Sequence, residues 1–264
     1  MRAWIWTLAT TIGLAGASSA QPPAPSPAPV APADAGKRLD ELLTQWEQRM
    51  KGLNALVAVL KRTEIDNVAK TKEEYRGQLK FLRPDRADLT MQKTTNPQVY
   101  ERFLSTGNFL FQFDPKQKVI RAYPLPQRAP GQPAMDNSFV GFLAGMSAAE
   151  ARRRFDLTLL KEDQWYAYIE VKPRLADDKA EFSLARLALL KSTMMPAEMQ
   201  FVPPNNSVII WTIEKIDTNA AVAAADFAAP QLKQMPPGWQ MQQMPPPGAP
   251  TNNIPPTKVR PVGK

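Results

Sequence analysis

Any chemistry in this chain would have to rest on carboxylates, lysine or tyrosine, because its 264 residues include no histidine and no cysteine. The usual general base, the usual zinc ligand and the disulfide staple are all missing. Ser-His-Asp, Cys-His and zinc-hydrolase mechanisms are therefore excluded. Paired carboxylates remain, and glycoside hydrolysis uses such pairs. Glu73-Glu74, Glu162-Asp163 and Asp177-Asp178 are adjacent acids in or beside turn-like segments. They read as solvated surface groups. No catalytic residue, metal site or cofactor is assigned.

A charge in an unusual place is the stronger signal. In "GQLKFLRPDR", Gly77 to Arg86, strand alternation puts Tyr75, Gly77, Leu79 and Phe81 on one apolar face. Arg83 falls on the same face, just before Pro84 ends the pairing. An inward guanidinium needs acceptors. The free carbonyls at a helix C-terminus would supply them, making Arg83 a latch between sheet and helix. The alternative is a surface arginine at a strand end, paired with Asp85 or water. The run Arg152-Arg153-Arg154 closes a short helix, where cations suit the dipole; it could instead face anionic lipid.

These residues need a scaffold, and the patterning supplies one. Leu39, Leu42, Leu43, Trp46 and Met50 follow helical spacing, with Asp34 as cap and Gly52 as stop. Strand-like runs follow over Ala55–Ile65, Glu74–Leu82, Ala87–Gln92, Val99–Leu104, Phe109–Phe113 and Lys118–Leu125. They resume over Phe155–Leu160, Gln164–Lys172, Glu181–Leu190, Ala197–Val202 and Ser207–Ile216. Short turns such as "STGN" and "DPKQ" make neighbours antiparallel. Between the two series, Phe139, Phe142, Leu143 and Met146 line one helical face, and "SAAE" at Ser147–Glu150 is a capping box for a helix over Ala148–Arg154. The expected fold is α+β and mainly antiparallel β: a strongly curved sheet of about eleven strands, with the first helix and the inserted lid helices on its concave face.

Phe109, Phe111 and Phe113 share a strand face and either line a cavity or pack an ordinary core. The same two readings apply to Phe139, Phe142, Leu143 and Met146. Methionine suits both, since its flexible thioether fills irregular gaps and adapts to variable ligands.

The ends are of different composition. Residues 1–20 read as a secretory signal, with small residues at Ser18 and Ala20 before a cut at Gln21. Residues 21–36 form a Pro/Ala-rich linker. Residues 37–239 form one domain, and 240–264 a disordered Pro-rich tail. The protein is expected to be exported to the periplasm or cell envelope, soluble and not lipid-anchored. The formal charge of +8 is scattered rather than striped, which disfavours nucleic acid and leaves an anionic membrane surface as a possible contact. A monomer is expected.

The order of motifs resembles the periplasmic lipoprotein-carrier family. That family carries a Gly-x-Leu-x-x-x-Arg-Pro strand after an early helix, matched by Gly77, Leu79, Arg83 and Pro84. Its next hairpin is matched by Gly107, Leu110, Phe113 and Pro115, and its closing Phe-x-x-Pro segment by Phe227–Pro230. The likeness spans about Leu39 to Trp239, and the nearest group is a set of exported planctomycete proteins. The Pro-rich ends, "PPNN" at Pro203–Asn206 and the loop over Pro126–Asp136 depart from the family pattern. The resemblance implies an incomplete barrel around an apolar cavity that takes acyl chains, lipid or an acylated lipoprotein, without catalysis. It also implies that Arg83 bonds lid backbone and holds the empty form closed. On this reading the ligand-binding set is Leu79, Phe81, Arg83, Phe109, Phe111, Phe113, Phe139, Phe142, Leu143 and Met146. An envelope structural module with a filled core is the alternative.

Overall fold

The computed structural model describes residues 32–125 and 146–245. The proposed signal, most of the linker, the loop and first lid helix over 126–145, and the last part of the tail lie outside them. So do Phe139, Phe142 and Leu143.

Helix α1 covers Pro32–Lys51 and places Asp34 in its first turn, so the helix starts earlier than the expected cap. Its apolar stripe, Leu39, Leu42, Leu43, Trp46 and Met50, is almost wholly buried. The helix stops where Gly52 follows, as expected.

Strands β1 (Ala55–Asp66), β2 (Thr71–Leu82), β3 (Arg86–Lys93), β4 (Asn96–Thr106), β5 (Phe109–Asp114) and β6 (Val119–Pro124) form the first meander. Helix α2 (Ala148–Arg154) leads into β7 (Phe155–Glu162) and β8 (Tyr166–Pro173). Helix α3 (Ala176–Glu181) then precedes β9 (Leu184–Leu190), β10 (Met195–Val202) and β11 (Val208–Asp217). A last short strand, β12, covers Gln240–Gln243. The spatial order is β12-β6-β5-β4-β3-β2-β1-β11-β10-β9-β8-β7 in one unclosed sheet. Every pairing among the described strands is antiparallel except the parallel join of β12 to β6.

The mainly antiparallel curved sheet is thus as expected, with two differences. Helix α3 was not foreseen. Its residues "ADDKAE" were split between a solvated turn and the start of a strand, because six residues are too few to show a helical period. The second correction is to the tail. Gln240–Gln243 pairs with β6 through backbone bonds that hydrophobic patterning does not register, such as Gln240 N–H to the Lys118 carbonyl at 2.9 Å. The described structure therefore continues past 239, and helix α1 already includes Pro32, ahead of the expected domain start at Lys37.

Gly77 is required by a close approach. A Cβ there would lie 1.8 Å from the Thr90 carbonyl oxygen on β3. Gly107, in the β4–β5 turn, adopts a φ of +95°, which L side chains rarely accept.

The inner face carries the main core. Leu79 and Phe81 of β2 share it with Leu56, Ala58 and Leu60 of β1, Ala87 and Met91 of β3, and the α1 stripe. A second cluster lies on the outer face. Met91 pairs with Glu101 and Ala87 with Ser105, so the intervening Arg102 and Leu104 point the other way. Their partners Phe113 and Phe111 follow them outward. The C-terminal segment crosses this patch and covers it with Phe227, Met235 and Trp239. Phe113 meets Trp239 edge-on at 6.3 Å between ring centres. Of the two readings of Phe109, Phe111 and Phe113, ordinary core packing holds and cavity lining is corrected: alternation identified their shared face, and the cross-strand register turns that face outward.

Candidate functional site

Helices α2 and α3 sit over the inner face of the second half of the sheet. Ser147 caps α2, its hydroxyl accepting from Glu150 N–H at 3.1 Å. The Glu150 carboxylate turns to Arg153 instead of completing the box. Glu47 of α1 accepts the Ala148 N–H at 2.9 Å, and Arg152 pairs with Asp40, so α2 is tied to α1 from two sides. The Glu47 carboxyl is held below its ordinary range by Lys51 and by that N–H.

Beneath these helices lies a cavity of about 200 Å³. Its walls are Phe155 of β7, Val171 of β8, Ala185 and Leu187 of β9, Met199 and Phe201 of β10, and Ile209 and Trp211 of β11. Met146 and Phe182 close it from the helix side. Most of these residues point inward because they occupy alternate positions on antiparallel strands. Phe155, Phe182 and Phe201 form a chain of ring contacts, with centroids 6.0 and 5.5 Å apart.

One end of this apolar space is charged. Arg154, the last residue of α2, donates to both oxygens of Asp178 on α3, through Nε at 3.0 Å and through Nη2. Both groups are buried, at 8% and 3% exposure. This corrects two sequence readings. Asp178 is not a solvated turn acid, and Arg154 faces neither solvent nor a lipid surface. The register of α3 against α2 decides both. Glu181, at the exposed end of α3, also lines the cavity. Partial burial, reinforced by the Asp178 charge, pushes its carboxyl above the ordinary range despite Arg154.

A second charged group stands beside Trp211. Arg62 follows Leu56, Ala58 and Leu60 along the inward positions of β1 and is buried. Its guanidinium lies 4.4 Å from the Tyr75 ring centre and 5.2 Å from that of Trp211. It bonds both oxygens of Glu101 at 2.8 Å and reaches Glu64 at 2.9 Å. Burial pushes the Glu64 carboxyl up. Burial and the hydrogen bond to Glu73 push the Tyr75 phenol to about 12. Sequence reading missed Arg62, although the alternation that singled out Arg83 applies equally to it.

Arg83 sits away from the cavity, at the far end of α1. Its Nη2 donates to the Met50 carbonyl at 2.6 Å and its Nε to the Leu53 carbonyl at 2.9 Å. The partners are the backbone of the α1 C-terminus and the residue just beyond it. Asp85 instead packs near Gly107. Of the expected site residues, Met146 lines the cavity, Leu79 and Phe81 lie in the α1 core, Arg83 ties α1 to β2, and the three strand phenylalanines lie on the outer face.

An unclosed, mainly antiparallel sheet wraps over one long helix, with a cavity under two short helices. The family model for outer membrane lipoprotein carrier protein LolA matches residues 52–230, and the chain belongs to that family. No curated protein matches the sequence. Solved structures similar to this chain include an uncharacterized conserved protein from Thermus thermophilus. It shares 12% identity, with 78% of this chain and 99% of that chain covered and a TM-score of 0.49. A LolA superfamily protein from Nitrosomonas europaea shares 11% identity over 72% of this chain and 96% of its own, with a TM-score of 0.35. MucB in the MucA/MucB complex of Pseudomonas aeruginosa shares 14%, over 78% and 67%, with a TM-score of 0.38. No described helix is long and apolar enough to cross a membrane.

Proposed function

We propose that the protein is an exported, non-enzymatic carrier that binds acyl chains of lipid or lipoprotein in the cell envelope. The apolar cavity of about 200 Å³ under α2 and α3 carries this reading. A structural module with a filled core would leave no such space. The lining favours a flexible apolar ligand. Met146 and Met199 adapt to variable chain positions, while Phe155, Phe182, Phe201 and Trp211 supply rigid walls. The family's carrier activity supports the same conclusion.

In this reading the ligand-binding set is Met146, Phe155, Phe182, Met199, Phe201 and Trp211, and Arg83 holds α1 in place rather than touching cargo. Residues 1–20 direct export. Native mass spectrometry of protein purified from its own envelope should show co-purifying lipid mass. The variant Met199→Trp should fill the cavity and lose that mass, along with uptake of an apolar fluorescent probe. Wild-type protein that carries no lipid and takes up no probe would sink the carrier reading.

A further inference from the structure

The whole chain is basic, at +8, yet the charged groups around its cavity are not. At the helix end stand one guanidinium, Arg154, and two carboxylates, Asp178 and Glu181. Asp178 already occupies the Arg154 fork with two hydrogen bonds. Arg154 therefore offers no open bidentate face to an incoming anion, and Glu181 is left as excess negative charge. Asp177 and Lys179, both exposed on α3, offset one another. Arg186 also borders the cavity, but strand alternation sends its side chain outward, 3.5 Å from Glu170.

A second charged cluster lies on the sheet side. Ile209 and Trp211, both cavity walls, pair directly with Glu64 and Arg62 of β1. Arg62 is held between Glu64 and Glu101, again one cation to two carboxylates. The neighbouring Glu73 pairs with Lys93 at 2.6 Å and also feels the charge of Lys116, so this cluster balances overall. Among the described residues that line the cavity, the unbalanced negative charge is therefore Glu181 at the helix end. Charges near a low-dielectric space act over its length and are screened less than surface ones.

We infer that this cavity selects single-chain amphiphiles whose head group is cationic or neutral over those whose head group is anionic, with Glu181 setting the preference. This rests on the carrier reading above and assigns it a head-group class. A carboxylate or phosphate head is repelled by Glu181 at the mouth of the cavity. An ammonium head finds Glu181 at the mouth, where it keeps contact with water while the chain is buried.

The test is displacement of a neutral apolar fluorescent probe from the full chain by decylamine, decanol and decanoate. It is run at low ionic strength and about pH 8, where the amine is protonated and the carboxylates are ionised. Decylamine should compete more strongly than decanoate by on the order of tenfold, equivalent to about 1.4 kcal/mol, with decanol between them. Glu181→Gln should shrink that ratio, and added salt should shrink it in the unsubstituted protein. Displacement by decanoate as strong as by decylamine overturns the inference while leaving the cavity reading intact. A ratio untouched by Glu181→Gln also overturns it. Failure of all three compounds to displace the probe overturns the cavity reading and the inference together.

Discussion

Two aromatic-rich patches lie on opposite faces of the same sheet, and they are finished differently. On the outer face, Leu104, Phe111, Phe113 and Ile120 are sealed by the chain's own C-terminal segment, with Phe227 only 2% exposed. On the inner face, Phe155, Phe182, Phe201 and Trp211 surround space that the described residues do not fill. Composition is similar in the two places. The difference lies in what crosses the patch: an intramolecular strap on one side, and two short helices pinned by a buried ion pair on the other. Apolar alternation marks a covered face without saying what covers it.

The largest effect should come from removing the seal. Phe227→Ala leaves a cavity in the outer cluster and should cost about 3–5 kcal/mol, as truncation of a buried phenylalanine does. Chemical denaturation should show the loss, while apolar-probe affinity of the remaining folded protein stays unchanged. Lost probe affinity at equal folded fraction would mean that the two patches are coupled and that the contrast between them is wrong.

How far these faces were legible in the sequence depends on the kind of signal each carries. Periodicity found α1, eleven of the twelve described strands and α2, because each is long or begins with a capping residue. The Gly77-to-Pro84 strand motif reflects two physical requirements: close approach of β3 at Gly77, and acceptors for Arg83 at the end of α1. Which half of the sheet holds the cavity was not legible. Phe109, Phe111 and Phe113 alternate as cleanly as Phe155, Leu157 and Leu159. Only pairing through β3 and β4 shows that the first set faces outward. The Arg154–Asp178 pair joins residues 24 apart in sequence, on two helices of which one is too short to have a pattern. Arg62 was legible in principle. It lacked only the proline that drew attention to Arg83.

A smaller effect tests the tie between α1 and the sheet. Arg83→Leu removes two hydrogen bonds to the Met50 and Leu53 carbonyls. Because Arg83 is exposed, the cost should lie at the low end for charged hydrogen bonds, about 1–2 kcal/mol. Amide exchange should quicken around the end of α1 and at residue 83 itself, whose N–H donates to the Asn54 carbonyl at 2.8 Å. The outer cluster should keep its protection, since its buried members Leu104, Phe111, Phe113, Ile120 and Phe227 lie on the opposite face of the sheet from α1. Equal acceleration across β4 to β6 would show that α1 supports both faces. Unchanged exchange at the α1 end would reduce Arg83 to a surface charge.

The smallest effect should follow removal of β12. Its four side chains are all exposed, so it adds backbone pairing to β6 and almost no apolar burial. The anchors that seal the outer patch, Phe227 and Trp239, precede it. A chain ending at Trp239 should therefore melt close to the full-length protein, losing at most about 1–2 kcal/mol for bonds such as Gln240 N–H to Lys118 and Met244 N–H to Ala122. A chain ending at Pro245 should melt with it, retaining those bonds. What the shorter chain should lose is protection of an edge. With β12 gone, β6 presents unpaired backbone groups that invite pairing with another chain. Concentration-dependent association, measured by sedimentation, should distinguish the truncation at Trp239 from that at Pro245 even where their melting points coincide. A large drop in melting point at Trp239 would mean that the strand, and not the aromatic anchors before it, holds the strap on the sheet. The outer patch would then be covered by a removable lid of its own, and the contrast between the sealed face and the binding face would fail.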